Sequence, residues 1–233
     1  MYPSRDRLVV FDADGTLIDA FPVVEQSFSL HGMDIGDLQR FQRRRKLLKY
    51  IGGLREFPKN LRRQFDKATR RQIKKTLTEV YREQAQPFPG MMQLLSTLIE
   101  TPDVRVGIVS RNVTDQPEQT LAIVLERHGI DASRLDFLRC IPLGEGKAGH
   151  FRSLREDLGI NPLRAIACGD EYKDYVAAVG AGMRALIASY GFEDHGRLTD
   201  DFAVPPELIS RTPAELANRL CHALDLEALS CTA

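Results

Sequence analysis

The sequence lacks several features that would define other classes of protein. It has no apolar run approaching the roughly 18 residues of a membrane-spanning helix. The apolar run at residues 8–11 is too short for the core of a secretory signal. Its four cysteines show no C-x-x-C spacing, and its five histidines are scattered, so no zinc-binding set is recognisable. We therefore expect a cytoplasmic protein with free thiols and no membrane partner.

The chain also has no net charge, because 32 Lys and Arg balance 32 Asp and Glu. The charges are unevenly distributed, since residues 40–75 contain fifteen Lys and Arg and only two acids. This basic segment is either a solvated helical surface or a positive lid that steers anions towards a site. Nucleic-acid binding is disfavoured by the zero net charge and by the absence of a recognisable motif. The sequence is compatible with a monomer or a homodimer.

Five short apolar runs are typical of strands that are buried on both faces. They occupy residues 8–11, 105–109, 138–141, 164–168 and 184–188. Helical patterns separate them, and Met91, Leu94, Leu95 and Leu98 fall on one helical face. Alternation of strands and helices predicts an α/β fold with a parallel sheet covered by helices on both faces.

One region interrupts this alternation. Residues 21–86 contain no predicted strand and are polar, basic and helix-forming, and Gly52, Gly53 and Pro58 divide them into helical pieces. We predict an all-helical insert at residues 20–86, directly after the first strand, and a core formed by residues 1–19 and 87–233. Gly52, Gly53 and Arg55 are our candidates for an insert loop that reaches a substrate.

Polar side chains follow several of the predicted strands. They are Asp12 and Asp14, Ser110, and Asp170 and Asp174, with Lys147 between the third predicted strand and the next helix. Each has an ordinary explanation when taken alone: a turn, a helix cap, acids at a helix N-terminus, or a solvated lysine. Because ligands of open parallel sheets bind at the carboxyl ends of the strands, their coincidence favours a functional site.

The four aspartates indicate a metal site. Two unit charges about 4 Å apart repel by roughly 4 kcal/mol at an effective dielectric constant near 20. A divalent cation together with Lys147 would offset most of this repulsion. Since the available ligands are oxygens, they favour Mg²⁺, which keeps several waters and shares substrate phosphates.

These residues resemble the motifs of the haloacid dehalogenase superfamily. The D-x-D-G-T-L motif corresponds to Asp12–Leu17, the serine that closes a strand to Ser110, the lysine to Lys147, and G-D-x-x-x-D to Gly169–Asp174. The position of the helical insert resembles the cap of the phosphoglycolate-phosphatase-like branch. The resemblance implies a Rossmann-like core with an all-helical cap inserted after the first strand.

The resemblance also implies a role for each residue. Asp12 would be the nucleophile that forms an aspartyl-phosphate, and Asp14 the general acid and base. The metal-site residues would be Asp12, Asp14 through its backbone carbonyl, Asp170, Asp174 and Glu171. The phosphate-binding residues would be Ser110, Lys147, Gly15, Thr16 and Arg111. Glu171 departs from the small residue that many relatives carry there, and it adds negative charge near the metal.

The implied function is a Mg²⁺-dependent phosphatase that hydrolyses a small phosphorylated metabolite, such as phosphoglycolate or a sugar phosphate. Asp14 favours phosphate chemistry, because the dehalogenases of the superfamily lack this second aspartate. One alternative is a phosphomutase of the β-phosphoglucomutase type, which must keep water away from the aspartyl-phosphate. Another is a non-catalytic binding protein that uses the basic cap. Phosphonate cleavage is less favoured, because no cap lysine is distinguished from the others.

Overall fold

A computed structural model describes residues 6–37 and 67–226 of the chain. The proposed substrate loop with Gly52, Gly53 and Arg55, and most of the basic segment, lie outside the described residues. No helix within the two described ranges combines the length and the apolar character needed to cross a membrane.

Strands and helices alternate along most of the described chain. The strands are β1 Arg7–Phe11, β2 Ile18–Asp19, β3 Gln86–Pro87, β4 Val104–Ser110, β5 Phe137–Cys140, β6 Ala165–Gly169, β7 Arg184–Ala188 and β8 Ile209–Ser210. The helices are α1 Phe21–Ser29, α2 Lys67–Gln84, α3 Met91–Glu100, α4 Pro117–Arg127, α5 Lys147–Asp157, α6 Tyr172–Gly180 and α7 Pro213–Ala223.

Six of the strands form one parallel sheet in the order β5-β4-β1-β6-β7-β8. The first strand lies at the centre, where Val9 is opposite Val106 on one side and Ile166 on the other. Each of the five predicted apolar runs forms a strand of this sheet, and the predicted fold class is confirmed. The parallel arrangement brings the carboxyl ends of β1, β4 and β6 to one edge.

Alternate residues of β1 enter two different cores. Val9 and Phe11 belong to the cluster with α3, α4 and α7, whereas Leu8 and Val10 belong to the cluster with α5 and α6. Because both faces are buried, the strand consists of consecutive apolar residues and does not alternate with polar ones. This packing fixes the position of Asp12, which follows the strand directly.

A two-stranded antiparallel ribbon, which we did not predict, joins the two ends of the predicted helical insert. Ile18 pairs with Pro87 and Asp19 with Gln86, at the points where the chain is predicted to leave and re-enter the core. The helices α1 and α2 lie between these strands in the sequence. Strands of two residues are too short to produce a recognisable alternation of polar and apolar residues.

Candidate active site

The loop after β1 begins with Asp12, whose backbone is hydrogen-bonded to the neighbouring strand β6. The backbone N–H of Asp12 donates to the carbonyl of Cys168, with a donor–acceptor distance of 2.8 Å. The Asp12 Oδ1 atom accepts a hydrogen bond from the N–H of Ala13 at 2.7 Å. The carboxylate is therefore fixed at the carboxyl edge of the sheet, where it is almost completely buried.

The neighbouring strand β4 ends in Ser110, whose side chain is also buried. Its hydroxyl oxygen has no hydrogen-bond partner among the described residues. A buried hydroxyl without a partner costs free energy, so it is suited to a bound ligand that supplies one.

The strand on the other side of β1 is followed by two further buried carboxylates. Asp170 follows β6 directly, and its Oδ2 atom accepts a hydrogen bond from the N–H of Phe192 at 2.6 Å. Asp174 lies in the first turn of α6 and accepts a hydrogen bond from the N–H of Glu171 at 3.1 Å. The helix start thus fixes Asp174 beside Asp170, one turn further along.

Three carboxylates and one ammonium group meet at this edge. Asp12, Asp170 and Asp174 each offer one oxygen, and these oxygens lie within 4.8 Å of one another. The Lys147 Nζ atom lies 2.6 Å from Asp12 Oδ2 and 2.8 Å from Asp174 Oδ1. Burial alone lowers the pKa of Lys147, but the charges of Asp12 and Asp174 outweigh burial and raise it. The lysine therefore remains charged although its side chain is buried.

Asp14 does not belong to this group of three carboxylates and has other partners. Its Oδ1 atom accepts a hydrogen bond from the Tyr81 hydroxyl at 2.5 Å, and its Oδ2 atom accepts one from Asn112 Nδ2 at 3.1 Å. Burial raises the pKa of Asp14 to about 6, although the bond from Tyr81 acts in the opposite direction. A carboxyl group with such a pKa can both hold and release a proton near neutral pH, as a general acid and base must.

Glu171 lies outside the group of three carboxylates. Its Oε2 atom pairs with Arg111 Nη2 at 3.0 Å, and its side chain also accepts a hydrogen bond from the backbone at the start of α6. Arg111 Nη2 also lies 3.8 Å from Asp174 Oδ1. The extra negative charge that Glu171 brings is therefore offset by Arg111.

Gly15 and Thr16 form part of the turn between β1 and β2. Gly15 has a φ of +84°, and its N–H donates to the carbonyl of Ile18 at 2.9 Å. Thr16 is buried, and its carbonyl accepts a hydrogen bond from the Tyr190 hydroxyl at 3.0 Å. Neither residue lines the cavity described next, whereas Ser110 and Arg111 do.

A cavity of about 320 Å³ opens beside Asp12, Asp14 and Ser110. Val24 from α1 and Leu77 from α2 form part of its wall, so residues of the predicted helical insert and of the sheet edge both border it. The cavity is of a size that accepts a small molecule.

The residues present fit a metal ion. Hard carboxylate oxygens at this separation are the donors that Mg²⁺ and similar cations take. Lys147 and Arg111 offset only half of the charge of Asp12, Asp170, Asp174 and Glu171, and a divalent cation would offset the rest. Asp12, Asp170 and Asp174 are therefore the residues that could hold such an ion.

Fold and site together define a Rossmann-like α/β enzyme whose acidic groups gather at the carboxyl edge of a parallel sheet. The family model of the haloacid dehalogenase-like hydrolases matches residues 7–182, which is more than half of the chain. The chain belongs to this family, and the predicted resemblance is confirmed.

Curated relatives and solved structures agree with this assignment. The chain is 26% identical to the phosphoglycolate phosphatase of Synechococcus elongatus, over 90% of this chain and 95% of that protein. It is 24% identical to the N-acetylmuramic acid 6-phosphate phosphatase of Pseudomonas aeruginosa, over 82% of this chain and 85% of that protein. The crystal structure of a predicted phosphatase from Clostridium acetobutylicum shares the fold, with a TM-score of 0.62 and 20% sequence identity. The match covers 94% of this chain and 100% of that chain. Family and relatives together support a phosphatase.

Two residues of the site were not identified from the sequence. Asn112 follows Ser110 by two positions, and this proximity is a usable signal. Tyr81 lies 67 residues from Asp14, in the predicted helical insert, and nothing in its local pattern distinguishes it from a core aromatic residue.

Proposed function

We propose that this protein is a Mg²⁺-dependent phosphatase that hydrolyses a small phosphorylated metabolite through an aspartyl-phosphate on Asp12. The observation that carries the proposal is the meeting of Asp12, Lys147 and two further buried carboxylates beside a cavity. Membership of the hydrolase family and the phosphatase names of the relatives support the same reaction.

Asp12 supplies the nucleophile. One of its carboxylate oxygens attacks phosphorus, and the bond between phosphorus and the leaving oxygen breaks. Contacts with Lys147 and with the N–H of Ala13 hold the carboxylate in one orientation. A nucleophile held in this way requires little further ordering to reach the transition state.

Asp14 moves the proton in both half-reactions. It donates a proton to the leaving oxygen and, as a carboxylate, accepts a proton from the water that attacks the aspartyl-phosphate. The second attack breaks the bond between phosphorus and Asp12, which releases inorganic phosphate and restores the enzyme. The pKa of about 6 suits both roles.

Ser110 and Lys147 bind the transferring phosphoryl group through its oxygens. The hydroxyl of Ser110 has no other partner among the described residues, and Lys147 carries a positive charge at the nucleophile. The carboxylates of Asp12, Asp170 and Asp174, with the backbone carbonyl of Asp14, would hold Mg²⁺. When bound, the ion supplies positive charge that stabilises the phosphoryl oxygens.

The substrate is a small phosphate monoester that enters between core and cap. We assign residues 20–86 to the cap, of which α1 and α2 border the cavity. Relatives are named for phosphoglycolate and for N-acetylmuramic acid 6-phosphate. Both esters, together with sugar phosphates, therefore belong in the first substrate panel.

A phosphate-release screen over this panel, with and without Mg²⁺, tests the proposal. We expect at least one ester to be hydrolysed, with release that depends on Mg²⁺ and is lost in Asp12→Asn. Release that survives in Asp12→Asn, or no release from any ester, would contradict the proposal. Isomerisation of a sugar phosphate without free phosphate would indicate a mutase, and anion binding without turnover would indicate a binding protein.

Gly15→Ala is predicted to damage the site more than the fold. An added Cβ would lie 2.1 Å from Asp170 Oδ2, an atom that is already held by Phe192. Displacing this carboxylate should lower phosphate release by about 100-fold, as misplaced catalytic groups do. Gly129→Ala is the matched control, because Gly129 has a φ of +83° but its added Cβ meets nothing within 4 Å. Thermal unfolding should shift similarly in both variants, and equal activities would contradict this prediction.

A further inference from the structure

We propose that Tyr81 is a positioning residue for proton transfer, because it fixes the direction of the Asp14 carboxyl group from the helical insert. This inference rests on the proposed function, since it concerns the group that donates the proton to the leaving oxygen. Tyr81 lies on α2, whereas Asp14 lies in the loop after β1. The insert thereby acts directly on the reacting centre and does more than cover it.

In the hydrogen bond between Tyr81 and Asp14, the Tyr81 hydroxyl is the donor and Asp14 Oδ1 is the acceptor. Tyr81 is buried, and burial together with the charge of Asp14 raises its pKa well above the ordinary value. The phenol hydroxyl donates a hydrogen bond to Asp14 Oδ1, with a donor–acceptor distance of 2.5 Å. Hydrogen bonds from a hydroxyl to a carboxylate are short and stronger than neutral ones.

A second donor holds the other oxygen of Asp14. Asn112 Nδ2 donates to Asp14 Oδ2 at 3.1 Å, and Asn112 Oδ1 accepts from the backbone N–H of Thr114 at 3.0 Å and from its hydroxyl. These partners of the amide oxygen establish which end of the amide faces Asp14. With one donor on each oxygen, the carboxyl group cannot rotate without breaking one of these two hydrogen bonds.

The two elements that carry these donors, α2 and the loop after β4, are also joined by a hydrogen bond. The Thr78 hydroxyl, one turn before Tyr81 on α2, accepts a hydrogen bond from the N–H of Asp115 at 2.8 Å. The helix and the loop after β4 therefore form a single support around Asp14. Asp14 and Tyr81 both line the cavity, so the supported carboxyl group borders the space that a substrate would enter.

The dependence of the rate of phosphoenzyme formation on the leaving group tests this role. A purely structural role of Tyr81 would change the rates with all leaving groups alike. The probes are phenyl phosphate, whose leaving oxygen needs a proton, and 2,4-dinitrophenyl phosphate, whose leaving group departs as an anion. In single-turnover experiments, we expect Tyr81→Phe to slow phosphoenzyme formation from phenyl phosphate by about 100-fold. The rate with 2,4-dinitrophenyl phosphate should fall by no more than about threefold.

Two further variants make the test specific. Asn112→Ala should show the same selective loss, because it removes the donor to the other oxygen of Asp14. Tyr190→Phe is the matched control: it removes a partly buried phenol hydroxyl that donates to the Thr16 carbonyl, and the ratio of the two rates should stay at the wild-type value.

The outcomes separate the inference from the proposed function. Equal losses with both esters in Tyr81→Phe, or no loss with either, would overturn the role of Tyr81 while leaving the phosphatase intact. Wild-type protein that hydrolyses neither these two esters nor any ester of the metabolite panel, or Asp12→Asn protein that hydrolyses both aryl esters, would overturn the proposed function and this inference with it. A selective loss with phenyl phosphate supports both.

Discussion

Asp12→Asn is expected to lower kcat for phosphate release by about 10⁴-fold or more, as removal of a catalytic nucleophile does in other enzymes. The amide cannot form the covalent intermediate, and it no longer carries the charge that faces Lys147 at 2.6 Å. Lys147 still lies 2.8 Å from Asp174, so the buried ammonium keeps one ionic partner and the fold should persist. The measurement is steady-state phosphate release from the best ester of the panel.

Asp115→Asn is the matched control for this substitution. Asp115 is an exposed aspartate in the loop after β4, and its carboxylate pairs with Lys74 at 2.9 Å. Exposed ion pairs contribute little, so activity should stay within about twofold of wild type. An Asp12→Asn protein that retains a tenth of the wild-type rate would contradict the assigned nucleophile.

Removal of the metal is expected to have the second-largest effect. Treatment with a chelator should lower phosphate release by about 1,000-fold, because a bound cation contributes several kcal/mol of charge stabilisation. Added Mg²⁺ should restore the rate. Without the ion, Lys147 and Arg111 do not balance the four carboxylates of Asp12, Asp170, Asp174 and Glu171, and a phosphate would have to approach the remaining negative charge.

Two carboxylate variants locate the ion. Asp170→Asn should raise the Mg²⁺ concentration needed for half-maximal activity by about 100-fold or more, because it removes charge from the group of three. Glu171→Gln should raise it by about tenfold at most, because Arg111 already pairs with that carboxylate. Activity that resists the chelator, or equal shifts in the two variants, would contradict the proposed metal site.

The central residues of the site could be predicted because they lie at the ends of strands that the sequence pattern reveals. A strand buried on both faces is a run of apolar residues, and the first polar residue after it marks the carboxyl edge. Asp12 and Asp170 directly follow such strands, and Ser110 is the last residue of one. Since parallel strands share this edge, their meeting in space follows from the sheet.

Long-range side-chain pairs could not be predicted in the same way. Tyr81 and Asn112 reach Asp14 across 67 and 98 residues of sequence, and neither belongs to a local pattern that indicates its partner. The pairing of Arg111 with Glu171 is equally non-local. Such contacts depend on how the helical insert and the loop after β4 pack, which hydrophobic periodicity does not encode.

The most direct test is to trap the intermediate. Enzyme mixed with phosphate-labelled ester should be quenched in acid within one turnover, digested, and analysed by mass spectrometry. We predict a phosphoryl group on the peptide that contains Asp12, labile to hydroxylamine and absent from the Asp12→Asn protein. Rapid phosphate release without any labelled protein, or a label on a different residue, would contradict the central claim that Asp12 receives the phosphoryl group.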